Sequence, residues 1–287
     1  FSVLSPYFLS VNNLLTVATQ TAIIAIIAIG QTYVMITTGI DLSIGSNIAL
    51  SGMLAGITMT NGVPVWIALL IGLASGCIVG GLNGVMIAFG KIPPFIATLC
   101  TMMAVRGISL TLTQGIPVSG LPKSFTVIGT GSLAGIPIPV ILMILLTVIF
   151  GFVLSKTRLG RHVYAVGSNV DAARLSGVNT KAVLIKVYVI SGFVAAFAGL
   201  IMAARIISAQ PAAGDGYELD AVASSVIGGT STLGGEGMIA GTFIGAFIIA
   251  VLRNGLNLIG VSPFIQKIVI GVVIGGSVFF DRIKRKD

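Results

Sequence analysis

AVLIKVYVISGFVAAFAGLIMAA, residues 182–204, runs for 23 residues with one charge, Lys186. The hydrocarbon core of a bilayer is about 30 Å thick, and about 20 apolar residues of α-helix cross it. This stretch is long enough to span a membrane. Working outward, eight more apolar stretches follow, roughly 14–38, 46–60, 65–89, 93–112, 137–155, 219–233, 238–256 and 263–280. The expected fold is all-α: a polytopic transmembrane bundle in a single domain over residues 1–287, with broken or half helices. The stretches 46–60 and 219–233 are short, and each adjoins a glycine-rich interruption. Such segments in both halves of a transporter point to broken helices near the transport path.

Composition agrees. The chain is 55% hydrophobic and 8% charged, against about 25% charged in a soluble domain, and its mean hydropathy is +1.09. Its 38 glycines suit membrane helices, where small residues let backbones approach. The net charge of +8 comes from cations placed between apolar runs, so they read as topology determinants and not as a nucleic-acid surface. Cys77 and Cys100 lie in apolar stretches without metal-ligand spacing, and His162 is the sole histidine, so neither a disulfide framework nor a metal site is expected.

The basic loop 156–181 carries Lys156, Arg158, Arg161, Arg174 and Lys181 against one acid, Asp171, and the tail carries Arg282, Lys284, Arg285 and Lys286. The positive-inside rule places both in the cytoplasm and the loop 113–136, with one cation (Lys123), outside. Counting back puts residues 1–13 outside. The chain starts at Phe1, so one further upstream helix is expected, giving about ten in the whole protein. Ser51-Gly-Met-Leu-Ala-Gly-Ile-Thr58 echoes Glu236-Gly-Met-Ile-Ala-Gly-Thr-Phe243, a candidate internal repeat that competes with chance.

Four segments carry candidate chemistry. In Gly39-Ile-Asp-Leu-Ser-Ile-Gly45, Asp41 and Ser43 lie between two apolar runs. A carboxylate there should face protein or a water-filled cavity, so a transport-path or gating role is weighed against simple helix capping. Ser208 to Asp220 crowds Asp215, Glu218 and Asp220 at a helix start. Capping is the plain reading, and Gln210, Glu218 and Asp220 are the candidates for a polar mouth suited to sugar hydroxyls. Gly228 to Gly237 is glycine-rich but has no lysine, and Gly84 to Lys91 misses the phosphate-loop spacing, so no nucleotide site is expected in this chain. In the basic loop, Ser168 or Asn169 caps a short helix from Val170 to Ser176 that Gly177 ends, with Ala172 and Ala173 beside Leu175 as a docking face. Asn83 is a further candidate for the transport path or its gate, though Asn83 and Gln114 are also polar groups that can simply bridge helices, and Arg106 is a lone cation whose partner the sequence leaves open.

These residues resemble the ribose-type permeases of bacterial ATP-binding-cassette importers over nearly the whole chain. The resemblance rests on Gly39-Ile-Asp-Leu-Ser-Ile-Gly-Ser46, Phe95-Ile-Ala-Thr-Leu99 with Arg106-Gly107, and Thr157-Arg-Leu-Gly-Arg161. It continues through Ala172-Ala-Arg-Leu-Ser-Gly177, Ser208-Ala-Gln-Pro211, Gly216-Tyr-Glu-Leu-Asp220 and Asn254-Gly-Leu-Asn-Leu258. It implies a subunit of the bacterial inner membrane that imports a monosaccharide: ribose or another pentose, a hexose, or an autoinducer-2-like sugar. It implies a second permease copy or paralogue, a cytoplasmic ATPase subunit that holds the ATP and Mg, and a periplasmic sugar-binding protein. It also implies docking of the ATPase on the basic loop, with Asp171, Ala172, Ala173 and Gly177 on the family's Glu-Ala-Ala-xxx-Gly pattern and Asp in place of Glu. Arg158, Gly160 and Arg161 belong to the same candidate docking region. The rival readings are an ion-coupled secondary transporter, in which the acids carry the ion, and a passive channel. No hydrolase motif supports an enzyme.

Overall fold

The computed structural model describes residues 1–2 and 5–284, so Arg285 and Lys286 of the basic tail lie outside the described residues. Helix α1 (Val11–Ile36) starts where the Ser10 hydroxyl accepts from the Asn13 amide. It is buried on every side from Thr21 to Ile36, as expected of a helix apolar all round. After Ile36 the chain reverses through Thr38, whose φ of 65° is left-handed, and rises over residues 37–43 into α2 (Ile44–Thr60). Helices α3 (Val65–Ala88) and α4 (Pro94–Thr111) follow. Pro94 sits in the first turn of α4, where its missing N–H costs nothing.

The loop 113–136 holds a short helix, α5 (Lys123–Thr130), and a two-stranded turn, β1 (Ser132–Leu133) antiparallel to β2 (Ile136–Pro137). Helix α6 (Ile138–Lys156) leads to two helices in the basic loop, α7 (Arg158–Ser168) and α8 (Val170–Leu175). The second long central helix is α9 (Thr180–Ile206), capped by the Asn179 side chain on the Ala182 amide. After it come α10 (Tyr217–Ile227), α11 (Ile239–Leu258) and α12 (Pro263–Lys284). All nine apolar stretches became helices. Among the described residues six of them, α1, α3, α4, α6, α9 and α11, are long and apolar enough to cross a membrane. At 1.5 Å per residue, α10 is only about 16 Å long, half a crossing.

The tightest seam joins α3 to α9. Gly72, Gly76, Gly80 and Gly84 fall four apart on α3, and their bare faces meet Leu200, Ala196 with Gly192, Tyr188 and Ile185 on α9. Spacing of this kind permits close van der Waals contact where lipid supplies no hydrophobic drive between helices.

The two halves repeat. Each has a long central helix, an unwound segment, a short helix and two more helices: α1–α4 and α9–α12. Gly39-Ile-Asp-Leu-Ser43 leads into α2, and Gly216-Tyr-Glu-Leu-Asp220 opens α10. Asn83-Gly84 recurs as Asn254-Gly255, and Pro94-Phe-Ile96 as Pro263-Phe-Ile265. The short helices start side by side, because a side chain on Gly45 would strike the Glu218 carboxylate and the Gly214 carbonyl. They then diverge. Gly56 of α2 meets Ala209, Val118 and Leu121 beneath the loop 113–136. The loop after α10 instead reaches the basic end of the bundle, where the Gly235 amide donates to the Ile36 carbonyl. The halves are therefore inverted with respect to each other. The echo expected between 51–58 and 236–243 is not this repeat, since one stretch lies inside α2 and the other straddles the start of α11. Shared Gly and Ala produced it, whereas the real repeat keeps residues that unwind and restart helices.

Candidate functional site

Asp41, Ser43 and Asn83 are brought together in the interior. The Asp41 carboxylate is buried and accepts from the Ser43 amide (2.9 Å) and hydroxyl (2.6 Å) on Oδ1. Its Oδ2 accepts from the Ser191 hydroxyl of α9 at 2.7 Å. The Asn83 amide donates to the Ser43 hydroxyl at 2.9 Å, and the Asp41 amide donates to Gln31 Oε1 on α1 at 3.3 Å. Ser191 lies about 16 Å along α9 from Thr180, so this knot sits near the middle of the bundle. It ties the first break to α1, α3 and α9. The Thr98 hydroxyl of α4 adds a fourth helix by donating to the Ile40 carbonyl at 3.0 Å. Asp41→Ala strands the Ser43 amide in a dry site, and about 1–3 kcal/mol is the expected cost of each buried group left unpaired. The measurement is the thermal midpoint in detergent, and an unchanged midpoint would show that the knot contributes nothing.

The second break, residues 207–216, descends beside α2 and is held by Arg106. Its Nη1 donates to the carbonyls of Pro211 (3.0 Å) and Ala213 (2.8 Å). The hydrogen-bond acceptors of Arg106 are thus unwound backbone, which a sequence cannot reveal, while the Asp215 and Glu218 carboxylates lie near enough to act on its charge. Higher up, Val118 and Ala209 exchange backbone bonds that fasten this segment to the loop 113–136. Gln210 is exposed here, and Glu218 lies half-buried where the short helices meet.

Asp220 is fully buried and pairs with Nη2 of Arg253 on α11 at 2.7 Å. Arg253 also lies over the Tyr217 ring, 5.9 Å from its centroid. Arg253, anchored from behind by Asp220, lines a cavity of about 430 Å³ between α1, α9, α10, α11 and α12, within the roughly 300–1,000 Å³ range of small-molecule sites. Gln20, Arg205, Asn254, Asn257 and Gln266 bring further polar groups to its lining, and Ile23, Ile24 and Met202 bring apolar ones. The sequence reading placed Asp220 near such a mouth but missed these residues. The available signal was the pair of arginines, Arg205 and Arg253, at the edge of or within apolar stretches.

At the opposite end, α7 and α8 form an elbow. Asn169 Oδ1 accepts from the amides of Asp171 (3.0 Å) and Ala172 (2.9 Å), and Gly177, at φ +82°, ends α8 while the Val178 amide donates to the Ala173 carbonyl. This is a Schellman termination, in which glycine takes the left-handed residue. Arg158, Arg161, Asp171 and Ala172 are exposed, and Leu175 is 86% exposed. Ala173 is buried, a correction to the expected docking face, because its side of α8 turns toward the bundle. Gly160 is also buried: a side chain there would strike the Leu154 carbonyl at the sharp turn from α6. Helix α7 itself was not expected. Its Val163, Val166 and Gly167 pack inward, and the Tyr164 hydroxyl donates to the Gly237 carbonyl at 2.6 Å. Burial pushes the Tyr164 phenol above its usual range, so it stays a donor.

Residues 13–277 match the family described as "branched-chain amino acid transport system / permease component". The chain belongs to this permease family. The permease is 46% identical over 288 residues to the ribose import permease protein of Escherichia coli (strain K12), covering 99% of this chain and 90% of that protein. It is 43% identical over 284 residues to the ribose import permease protein of Haemophilus influenzae, covering 98% and 88%. To the xylose transport system permease protein of Escherichia coli it is 35% identical over 341 residues, covering 97% and 87%. No solved structure matches it. The permease is a multi-pass bacterial membrane protein and a transport subunit rather than an enzyme. Nothing in these relatives supports an ion-coupled carrier.

Proposed function

We propose that the permease is the membrane subunit of an ATP-driven importer for a ribose-like monosaccharide. The observation that carries this is its 43–46% identity to ribose import permeases over nearly the whole chain, against 35% to a xylose permease. In this reading the elbow faces the cytoplasm and takes the ATPase subunit, which binds ATP and Mg, while this chain binds no cofactor. A sugar-binding protein delivers its load to the other face. A second copy or a paralogue completes the membrane unit, surrounded by lipid.

The elbow gives a route for coupling. A push on α8 moves α7, and α7 is joined to two places at once. Gly167 packs on the Ile36 carbonyl at the end of α1, and Tyr164 bonds to the loop between α10 and α11. The Gly235 amide also bonds to the Ile36 carbonyl, so the end of α1 and that loop move together. ATP binding then shifts the balance of inward- and outward-open states through its differential affinity for them.

The test is uptake of labelled ribose by vesicles holding the permease, its ATPase and its binding protein, with ATP and no ion gradient. Uptake driven by a sodium or proton gradient without ATP would overturn the reading, as would import of leucine in place of sugar. Leu175→Asp removes an apolar knob that buries on docking. A buried leucine is worth about 1.5–3 kcal/mol, so ATPase binding should weaken about ten- to hundredfold. Unchanged co-purification of the ATPase would rule out docking on α8.

A further inference from the structure

The two halves differ where they should be alike. The shared motifs fix the alignment: Gly39 with Gly216, Asn83 with Asn254, and Pro94 with Pro263. On that alignment Ile40 matches Tyr217, Leu82 matches Arg253, Met86 matches Asn257 and Ala97 matches Gln266. Four apolar residues of the first half thus become four polar residues of the second. All four polar residues line the cavity between α1, α9, α10, α11 and α12. The fold is served by apolar residues at these places, as the first half demonstrates. Arg253 lies within α11, where a charge is costly to keep, while Asn257 and Gln266 stand at the end of α11 and the start of α12; gathered on one cavity, these groups point to a polar ligand.

The lining indicates the class of ligand. Asn257 presents a donor and an acceptor, and Gln20 does the same from α1; Gln266 presents its oxygen and the amide hydrogen left over from its bond to the Val261 carbonyl at 2.8 Å. The charge of Arg253 is cancelled by Asp220 at 2.7 Å. Arg205 has no ion-pair partner among the described residues, and it adds donors at the end of α9. Mixed amides with one free cation suit a neutral molecule rich in hydroxyls. The cavity lies by the ends of α9 and α11 and the start of α12, away from the elbow.

Resting on the importer reading, we infer that this cavity is a monosaccharide site on the outer half of the transport path. Asn257 and Gln266 bond sugar hydroxyls there, and the Asp220–Arg253 pair holds the wall. Replacing both amides with the residues of the first half, Asn257→Met with Gln266→Ala, removes one or two such bonds. In vesicles holding the complete importer, the sugar moved per ATP hydrolysed should fall about tenfold. A second measurement guards against misfolding. Asn257→Cys, with Cys77 and Cys100 changed to Ala, is expected to react with a water-soluble maleimide added from the outer side, and ribose is expected to slow that reaction.

A wild-type importer that moves no sugar sinks the functional reading itself. A working wild type with a double variant within about twofold of it overturns the cavity assignment. So does labelling of Asn257→Cys that ribose leaves unchanged, or that phosphatidylglycerol blocks and ribose does not, since the occupant is then a lipid headgroup.

Discussion

Arg253→Leu is expected to destabilise the purified permease by about 3–5 kcal/mol, because it strands a fully buried carboxylate. Asp220 is 0% exposed, and Arg253 is its ion-pair partner among the described residues. The first half has two uncharged residues, Ser43 and Leu82, at the matching positions. Asp220→Ser added to Arg253→Leu should therefore recover most of the loss, since replacing a whole buried pair is often close to neutral. The measurement is the thermal midpoint in detergent for both variants. Equal instability of the single and the double variant would show that an unpaired charge is not the cause. Sugar uptake should remain low in both, because both change the cavity wall.

A second large effect is expected at Gly80. A methyl there would overlap the Tyr188 carbonyl oxygen on α9, with the Tyr188 carbonyl carbon 2.9 Å away. Helix α9 belongs to the packed interior, and α3 lies against it along four glycines, so a retreat of α3 would open the whole seam. Gly80→Ala should cost about 1–3 kcal/mol or more through overpacking. One residue along, Gly81 would place its methyl 3.7 Å from a Val189 methyl, an ordinary contact. Gly81→Ala should be neutral or gain up to about 1 kcal/mol from helix propensity. The two neighbours are chemically the same change with opposite expected signs. A gain at both positions would refute the glycine seam.

Much of the architecture was legible because lipid imposes a simple rule. Backbone groups in hydrocarbon must bond within their own segment, so long apolar runs can only be helices. The elbow was partly legible: Asn169 and Gly177 mark the ends of α8 by local side-chain and backbone chemistry. Helix α7 was not, because its amphipathic pattern is spread through a run of charges. The knot at Asp41 could be anticipated as a buried carboxylate, but its donor Ser191 lies 150 residues away. The hold of Arg106 on the second break was hidden for another reason. Its acceptors are main-chain carbonyls, which every residue possesses.

By itself the sequence determined the nine apolar stretches that form helices, the two places where short helices would sit, and the family, because hydropathy, glycine breaks and ordered motifs are properties of the chain read in line. Tertiary structure alone decided that the halves are inverted, that Asp220 faces Arg253, and that residues from five helices enclose one polar cavity. Those facts depend on which helix faces pack together. A one-dimensional pattern fixes a residue's type and its turn of helix, while distances between helices are set only when the whole bundle closes.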